Sequence, residues 1–233
     1  MTGASPAIFN SEHDRDSTLP LFLLALTLVT GLIDAFSYLG LGHVFVANMT
    51  GNVVFLAFAL AGAPGFSIAA SAIALLAFVA GAAIGGRITL VWAADRRYFA
   101  GITTVEATLF AAAALATVAS DAASDVARDL LIVLLAVAMG MQNAAARRLA
   151  VPDLTTTVLT LTITGIAADG RLGAGGDSRL GRRLLAVIAM FGGALIGTVL
   201  VLTGREALSL VLALGVAGAI AAALTIRRSP AGR

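Results

Sequence analysis

Cysteine and lysine are absent from this sequence, and charged and aromatic residues are scarce. Of its 233 residues, 12% are charged, 6% are aromatic and 59% are hydrophobic. The lack of cysteine excludes disulfides, thiolate metal sites and cysteine nucleophiles. Soluble domains carry about 25% charged residues, so a chain with half that share is expected to be an integral membrane protein.

The sequence also lacks the usual signatures of catalysis and of nucleotide or nucleic-acid binding. It contains no HExxH, GxSxG or P-loop pattern. All 15 basic residues are arginines, and none belongs to a basic run with interleaved aromatic residues of the kind that binds nucleic acid. We therefore expect no enzymatic activity, no metal site, no cofactor and no nucleic-acid partner.

The chain instead contains long apolar stretches. Several reach the roughly 20 residues that a membrane-spanning helix needs, and the ten-residue alternation of a transmembrane barrel is missing. The sequence therefore predicts an all-α, polytopic helical membrane protein with six to eight membrane segments. The apolar stretches are 19–40, 44–62, 67–93, 99–119, 130–146, 155–168, 184–203 and 207–226.

The two ends of the chain are polar. Residues 1–18 lack the basic start of a signal peptide, so they are predicted to form a disordered cytoplasmic tail. Residues 227–233 are predicted to form a second cytoplasmic tail.

Three short matches in the same order predict an internal repeat. The matches are Gly31–Ala35 with Gly140–Ala144 at an offset of 109, Thr50-Gly51 with Thr164-Gly165 at 114, and Gly81–Gly85 with Gly193–Gly197 at 112. We predict a first membrane repeat over 19–119 and a second over 130–226. The Gly-x-x-x-Gly pairs are also typical of close helix contacts in membranes.

The distribution of arginine bears on how the segments cross the membrane. If all eight segments cross, in parallel repeats, about six arginines lie outside, against the positive-inside rule. If segments two and six instead enter and return on one side, the arginine-rich loops face the cytoplasm and the acidic loop 120–129 faces outward. Each half then has three crossings and one partial segment, so the repeats are inverted, as in many transporters. The arginine pattern favours the inverted arrangement, and the parallel one stays open.

Asp34 is the most unusual residue for such a chain, because it lies about 22 Å along the first helix at about 1.5 Å per residue. An ionisable group at membrane depth costs at least about 2.5 kcal/mol and usually faces a bundle interior or a water-filled cavity. Asp34 is therefore a candidate site for a proton or a cation. The structural alternative is a group that fixes helix packing by hydrogen bonds to Ser37, Tyr38 or the backbone of residues 48–52. Asn143 is its counterpart in the second half.

The segment Asn48–Asn52 contains residues that end one helix and begin another. Thr50, Gly51 and Asn52 favour a break, a turn and a cap. A half-helix starting near Asn52 would point its N–H groups into the membrane, where such ends bind anionic or carbonyl groups. A polar kink that satisfies its own backbone is the alternative. Thr164 occupies the matching position in the second half.

Glu106 is the second acidic residue inside an apolar stretch. It is a candidate proton carrier, or it forms an ion pair with Arg96 or Arg97. The ion pair is the favoured interpretation.

The motifs G-x-x-D-A-x-S-Y-L, Phe45–Asn48 and Met49–Asn52 follow one another in the first half, and Gly140–Ala144 with Thr164-Gly165 continue the pattern in the second. A chain with this pattern resembles the YoaK family of small bacterial membrane proteins. The resemblance covers nearly the whole chain. It implies a multi-pass inner-membrane protein, and it implies no particular activity, substrate or catalytic residue.

These features predict a small secondary transporter or channel-like protein for an unidentified small solute. Asp34 and the Asn48–Asn52 turn would line a site at the membrane midplane, with Asn143 and Thr164 as pseudo-symmetric partners. The alternative is a non-transporting membrane module that binds a lipid or a membrane-protein partner. The expected location is the bacterial plasma (inner) membrane with both termini in the cytoplasm. Besides the lipid bilayer, the expected partners are a small-molecule or ion substrate and further copies of the chain.

Overall fold

The computed structural model describes residues 18–91, 95–119, 124–149, 159–169, 173 and 180–226. Within these residues the chain forms eight α-helices and no strand, which confirms the predicted all-α class. The helices are α1 (Leu19–Gly40), α2 (Met49–Leu60), α3 (Ile68–Ile88), α4 (Asp95–Ala119), α5 (Asp125–Leu149), α6 (Leu159–Ala168), α7 (Leu180–Leu202) and α8 (Glu206–Ile226). The two predicted tails, apart from Thr18, lie outside the described residues.

Six of these helices are long and apolar enough to cross a membrane, namely α1, α3, α4, α5, α7 and α8. The other two, α2 and α6, have 12 and 10 residues. At about 1.5 Å per residue they extend about 18 and 15 Å, whereas the hydrocarbon core of a bilayer is about 30 Å thick. As helices, the described parts of segments two and six are therefore too short to cross.

Helices α1 and α5 run in opposite directions at the centre of the molecule. Near the middle of α1, Thr30 accepts a hydrogen bond from Nε2 of Gln142 in α5 at 2.8 Å. Just past the end of α1, a Cβ built on Gly42 would lie 3.9 Å from Arg128 near the start of α5. Residue numbers therefore rise along α1 as they fall along α5.

Helices α1 and α7 pack so closely that the backbone of one meets the backbone of the other. A Cβ built on Gly193 of α7 would collide with the carbonyl of Leu28 in α1. A Cβ built on Gly31 of α1 would collide with the carbonyl of Met190 in α7. Glycine at these positions is therefore required by the close approach, as is typical of helix pairs in membranes.

The same contacts recur between α3 and α5. A Cβ on Gly81 of α3 would meet the carbonyl of Val137 in α5, and one on Gly140 of α5 would meet the carbonyl of Phe78 in α3. The α5 residues Val137 and Gly140 follow Leu28 and Gly31 of α1 by 109 positions. The α3 residues Phe78 and Gly81 precede Met190 and Gly193 of α7 by 112. The contacts of α1 with α7 are thus reproduced by α5 with α3.

Large apolar side chains cover the outer faces of the peripheral helices. Of the most apolar 18-residue stretch of each helix, only 17% is buried in α7, against 67% in α1 and 61% in α5. Examples of exposed residues are Leu76 and Val79 on α3 and Ile188 and Phe191 on α7. Exposed apolar surface on this scale marks contact with a membrane or a partner. Because six helices can span, these faces contact the lipid bilayer.

Candidate functional site

Asp34 joins α1 to the segment that leads into α2. Its Oδ1 accepts hydrogen bonds from the backbone N–H groups of Val46 at 3.1 Å and Ala47 at 2.9 Å. The side chain of Ser37 does not reach the carboxylate, because its hydroxyl donates to the backbone oxygen of Asp34 at 3.2 Å. Asp34 therefore holds the chain by backbone groups that lie just before residues 48–52.

Asn52 clamps the same segment from the other side. Its Oδ1 accepts from the N–H of Phe45 at 2.9 Å, and its Nδ2 donates to the carbonyl of Phe45 at 2.6 Å. The half-helix predicted to start near Asn52 begins three residues earlier, at Met49, with Asn48 as its N-cap and no side-chain cap bond. The amide of Asn52 pairs with the backbone of Phe45 instead of capping the helix.

A group of aromatic rings encloses this turn, and this group was not predicted from the sequence. The rings of Tyr38 and Phe45 stack with centroids 5.0 Å apart, and Phe55 lies 5.5 Å from Phe45 and 5.2 Å from Phe66. A Cβ on Gly51 would lie 2.7 Å from the ring of Phe45, so glycine lets the ring pack on the first turn of α2. The concentration of phenylalanine within 45–66 was the available signal.

Asp34 also lines an open cavity between α1, α7 and the turn. The cavity has a volume of about 350 Å³, which is within the size range of small-molecule sites. Its lining includes Asp34, Tyr38, Phe45, Asn48, Ala194 and Thr198. The structure thus brings Asp34 and Asn48 to one cavity, while Gly51 and Asn52 support its wall. The side chain of Thr50 is exposed and is not part of the lining.

The predicted counterparts in the second half do not line this cavity. Asn143 donates to the backbone oxygen of Met139, one turn earlier in α5, at 2.8 Å. The side chain of Thr164 on α6 is exposed. Residues 150–158, which precede α6 as residues 41–48 precede α2, lie outside the described residues.

Glu106 lies inside the helix bundle, and the ion pair expected for it is not formed. Its side chain is fully buried, and neither carboxylate oxygen has a hydrogen-bond partner among the described residues. Arg96 instead donates to the backbone oxygens of Leu224 at 3.0 Å and Ala223 at 3.4 Å. The favoured interpretation was therefore wrong, because the guanidinium of Arg96 binds carbonyls in the last turn of α8, which lack helical partners.

One end of the bundle, which we call the arginine end, is closed by contacts between α3, α4 and α5. Arg148 binds the carboxylate of Asp95 at 2.9 Å, and its guanidinium carbon lies 4.7 Å from the ring centroid of Tyr98. The hydroxyl of Tyr98 donates to the backbone oxygen of Gly85 at 3.0 Å. Tyr98 is fully buried, so it seals this end.

The opposite end, which we call the acidic end, contains a second cavity of about 300 Å³. Its lining includes Phe36, Thr117, Asp125, Arg128, Leu131 and Glu206. Arg128 is paired with Asp125 at 2.8 Å and with Asp129 at 3.1 Å. The cavity is therefore polar at its rim and apolar at Phe36 and Leu131.

No group of three or more histidine, cysteine or acidic side chains that could hold a metal ion occurs in the described part of the chain.

Comparison with known proteins gives a family and one relative. Residues 22–226 match the family described as "Protein of unknown function (DUF1275)". The chain is 36% identical over 157 residues to "UPF0700 transmembrane protein YoaK" of Bacillus subtilis (strain 168), and the match covers 64% of this chain and 67% of that protein. No solved structure matches. The resemblance drawn from the motifs is thus confirmed.

Proposed function

The chain belongs to the DUF1275 family and is a multi-pass membrane protein, and from this premise we propose that it is a small secondary transporter or channel-like protein. It is built from two inverted repeats, 19–119 and 130–226, and carries a small solute past Asp34. We propose no enzymatic activity.

The repeated helix contacts are the observation that carries this proposal. Helix α1 meets α7 through the same glycine contacts by which α5 meets α3, and α1 and α5 run in opposite directions. Two halves related in this way have an axis in the membrane plane, as in many secondary transporters. Such halves can exchange conformations, which opens a central site first to one side and then to the other.

The cavity beside Asp34 is the proposed solute site. It is large enough for a small molecule, and a carboxylate at membrane depth is a functional candidate by default. Asp34, Asn48 and Thr198 supply its polar side chains. The cavity also lies against α7, which belongs to the second half, so a movement between the halves would change its shape.

The proposed orientation follows from the two ends of the bundle. The arginine end includes Arg87, Arg96, Arg97, Arg147 and Arg148, whereas the acidic end has only Arg128 and Arg205 among the described residues. By the positive-inside rule the arginine end faces the cytoplasm. Both termini are then cytoplasmic, in the plasma (inner) membrane of a bacterium.

A second candidate function is a non-transporting module that binds a lipid or a membrane-protein partner. It is favoured by the hydrogen bonds from Val46 and Ala47 to Asp34, because they give this carboxylate a structural role that needs no transport.

The two candidates differ in whether water reaches the cavity from both sides of the membrane. Thr198→Cys places a thiol in the lining, and Val199→Cys is a matched control because its side chain is 51% exposed on the outer face of the same helix. In right-side-out and inside-out vesicles, a membrane-impermeant thiol reagent should modify Thr198→Cys from both sides and Val199→Cys from neither. If Thr198→Cys is modified from neither side, the result contradicts the transporter and favours the binding module.

A further inference from the structure

Polar atoms without partners are concentrated in the bundle interior, away from the Asp34 cavity. Among the described residues, the buried side-chain atoms without a hydrogen bond are Oε1 and Oε2 of Glu106, Oε1 of Gln142 and Oγ of Ser209. These residues lie on α4, α5 and α8, and both α5 and α8 pack against α4. Buried polar atoms are rarely left unpaired in native proteins, so the concentration calls for an explanation.

Glu106 and Gln142 lie at nearly the same depth. Arg148 contacts both Asp95 and Tyr98, which places the end of α5 beside the first turn of α4 at the arginine end. At about 1.5 Å per residue, Glu106 lies about 12 Å beyond Tyr98 and Gln142 about 9 Å beyond Arg148, both toward the acidic end. Nε2 of Gln142 is bonded to Thr30, which leaves its oxygen as the unpaired atom.

The described residues of α4, α5 and α8 supply no positive charge at this depth. Helix α5 has no charged residue between Asp129 and Arg147, and α8 has none after Glu206. The charged residues of α4 other than Glu106 lie in its first turn at the arginine end. An ionised carboxylate with no partner is costly to bury, so Glu106 must hold a proton or meet a cation that enters from outside.

We propose that Glu106 and the side-chain oxygen of Gln142 form a binding site for a hydrogen-bond-donating cation, either a proton or ammonium. The unpaired carboxylate and amide oxygens are acceptors, so the ligand must bring donors. A carboxylate, an amide oxygen and no further acidic residue suit a single positive charge and not a divalent metal.

The acidic end is the route of entry. At the rim of its cavity Asp125 is paired with Arg128, and Glu206 supplies a further negative charge that attracts cations. Ser209, one turn into α8 from Glu206, adds an unpaired hydroxyl below the rim. Phe110, one turn from Glu106, is fully buried, so a cation that enters from this end requires the packing at this level to open. At the arginine end, Tyr98 blocks entry.

Labelling with dicyclohexylcarbodiimide tests the site directly, because this apolar reagent modifies protonated carboxyl groups in apolar surroundings. The full-length protein in detergent is labelled across a range of pH, with added ammonium chloride or choline chloride, and the modified peptide is identified by mass spectrometry. We expect Glu106 to be labelled and the labelling to fall as pH rises. If ammonium but not choline protects Glu106 from labelling, ammonium is a ligand. If the labelling of Glu106 changes with pH but not with ammonium, the ligand is a proton.

Substitutions at the site and at control positions complete the test. Glu106→Gln should abolish this label, while Asp34→Asn should leave it. Gln142→Met removes the amide oxygen together with the Nε2 bond to Thr30, whereas Thr30→Val removes that bond alone. Only Gln142→Met should weaken ammonium protection, or shift the pH dependence, by about tenfold in cation concentration, the value of one hydrogen bond to a charged group. The proposal is overturned if Glu106 is not labelled at any pH, or if its labelling changes with neither pH nor ammonium concentration. This inference rests on the proposed transport function and names its ion. The labelling does not depend on transport, so the cation site can be disproved while Thr198→Cys remains accessible.

Discussion

Asp34 has a structural task that its position in the sequence did not specify. One of its oxygens binds two backbone N–H groups of a segment whose side chains Val44, Val46 and Ala47 are almost fully buried. An apolar segment that folds back into a membrane protein must satisfy its backbone from within the protein. The carboxylate therefore stabilises the wall of the cavity that it lines.

Replacing Asp34 can separate this structural task from a role of its charge. Asp34→Ala leaves the N–H groups of Val46 and Ala47 without an acceptor, at about 1–3 kcal/mol for each unpaired group, so we expect lower stability and faster amide exchange over residues 41–48. Asp34→Asn keeps an oxygen acceptor and should retain most of that protection. Hydrogen exchange with mass spectrometry in detergent measures the protection of residues 41–48 in both variants. Equal exchange in Asp34→Ala and the unchanged protein would contradict the structural role of Asp34.

At the residue scale, the sequence singled out Asp34, Asn52 and Glu106 but did not predict what they contact. Asn52 was predicted to cap a helix, yet its amide pairs with the backbone of Phe45. Glu106 was predicted to pair with Arg96 or Arg97, but Arg96 binds the end of α8. Both errors have one physical cause, because the partners are set by tertiary contacts that composition and spacing do not contain.

At the element scale, the close packing of glycine is a property that a single methyl group can test. Gly193→Ala would push a Cβ into the carbonyl of Leu28, whereas at Gly192 a Cβ meets nothing within 4 Å. We expect Gly193→Ala to cost about 1–3 kcal/mol through overpacking. Gly192→Ala should be neutral or stabilising by up to about 1 kcal/mol from helix propensity.

Unfolding in sodium dodecyl sulfate, followed by circular dichroism, compares the two variants. The corresponding variants in the first half are Gly81→Ala, whose Cβ would collide with Val137, and the control Gly86→Ala, whose Cβ would meet nothing within 4 Å. If Gly193→Ala and Gly192→Ala unfold at the same detergent fraction, the close contact of α1 with α7 is not as described.

The helix bounds show which part of an element an apolar pattern can predict. The first stretch, 19–40, matches α1, but α4 begins at Asp95 and not at 99, and α5 extends over Asp125–Leu149 beyond the predicted 130–146. Acidic residues in the first turn and basic residues in the last turn stabilise a helix, so charged ends continue it past the apolar core. Apolar content therefore locates the part of a helix inside the membrane and omits its ends.

At the scale of the whole molecule, the matches at offsets of 109 and 112 were informative because they fall on glycines at helix contacts. Gly31 and Gly140 were noted for the polar residues Asp34 and Asn143 that follow them. In the structure the glycines themselves make equivalent contacts, with Met190 and Phe78. A side chain at any of these glycines would push the two helices apart, so the sequence matches coincide with positions where only glycine fits. The side-chain chemistry of the halves differs, so the sequence could not predict where their polar residues meet.

The topology of the whole molecule yields a prediction that uses the absence of native cysteine. If α2 and α6 only enter the membrane and return, the residues on either side of each lie on one face. Gly40→Cys and Ala61→Cys, which flank α2 at exposed positions, should both react with an impermeant maleimide added to intact cells. Arg147→Cys and Ala168→Cys, which flank α6, should react only after the membrane is opened. A helix of 12 residues, about 18 Å long, cannot carry the chain across about 30 Å of hydrocarbon, so opposite labelling of Gly40→Cys and Ala61→Cys would require the surrounding segments to unfold. That result would replace the inverted arrangement with eight crossings and parallel halves.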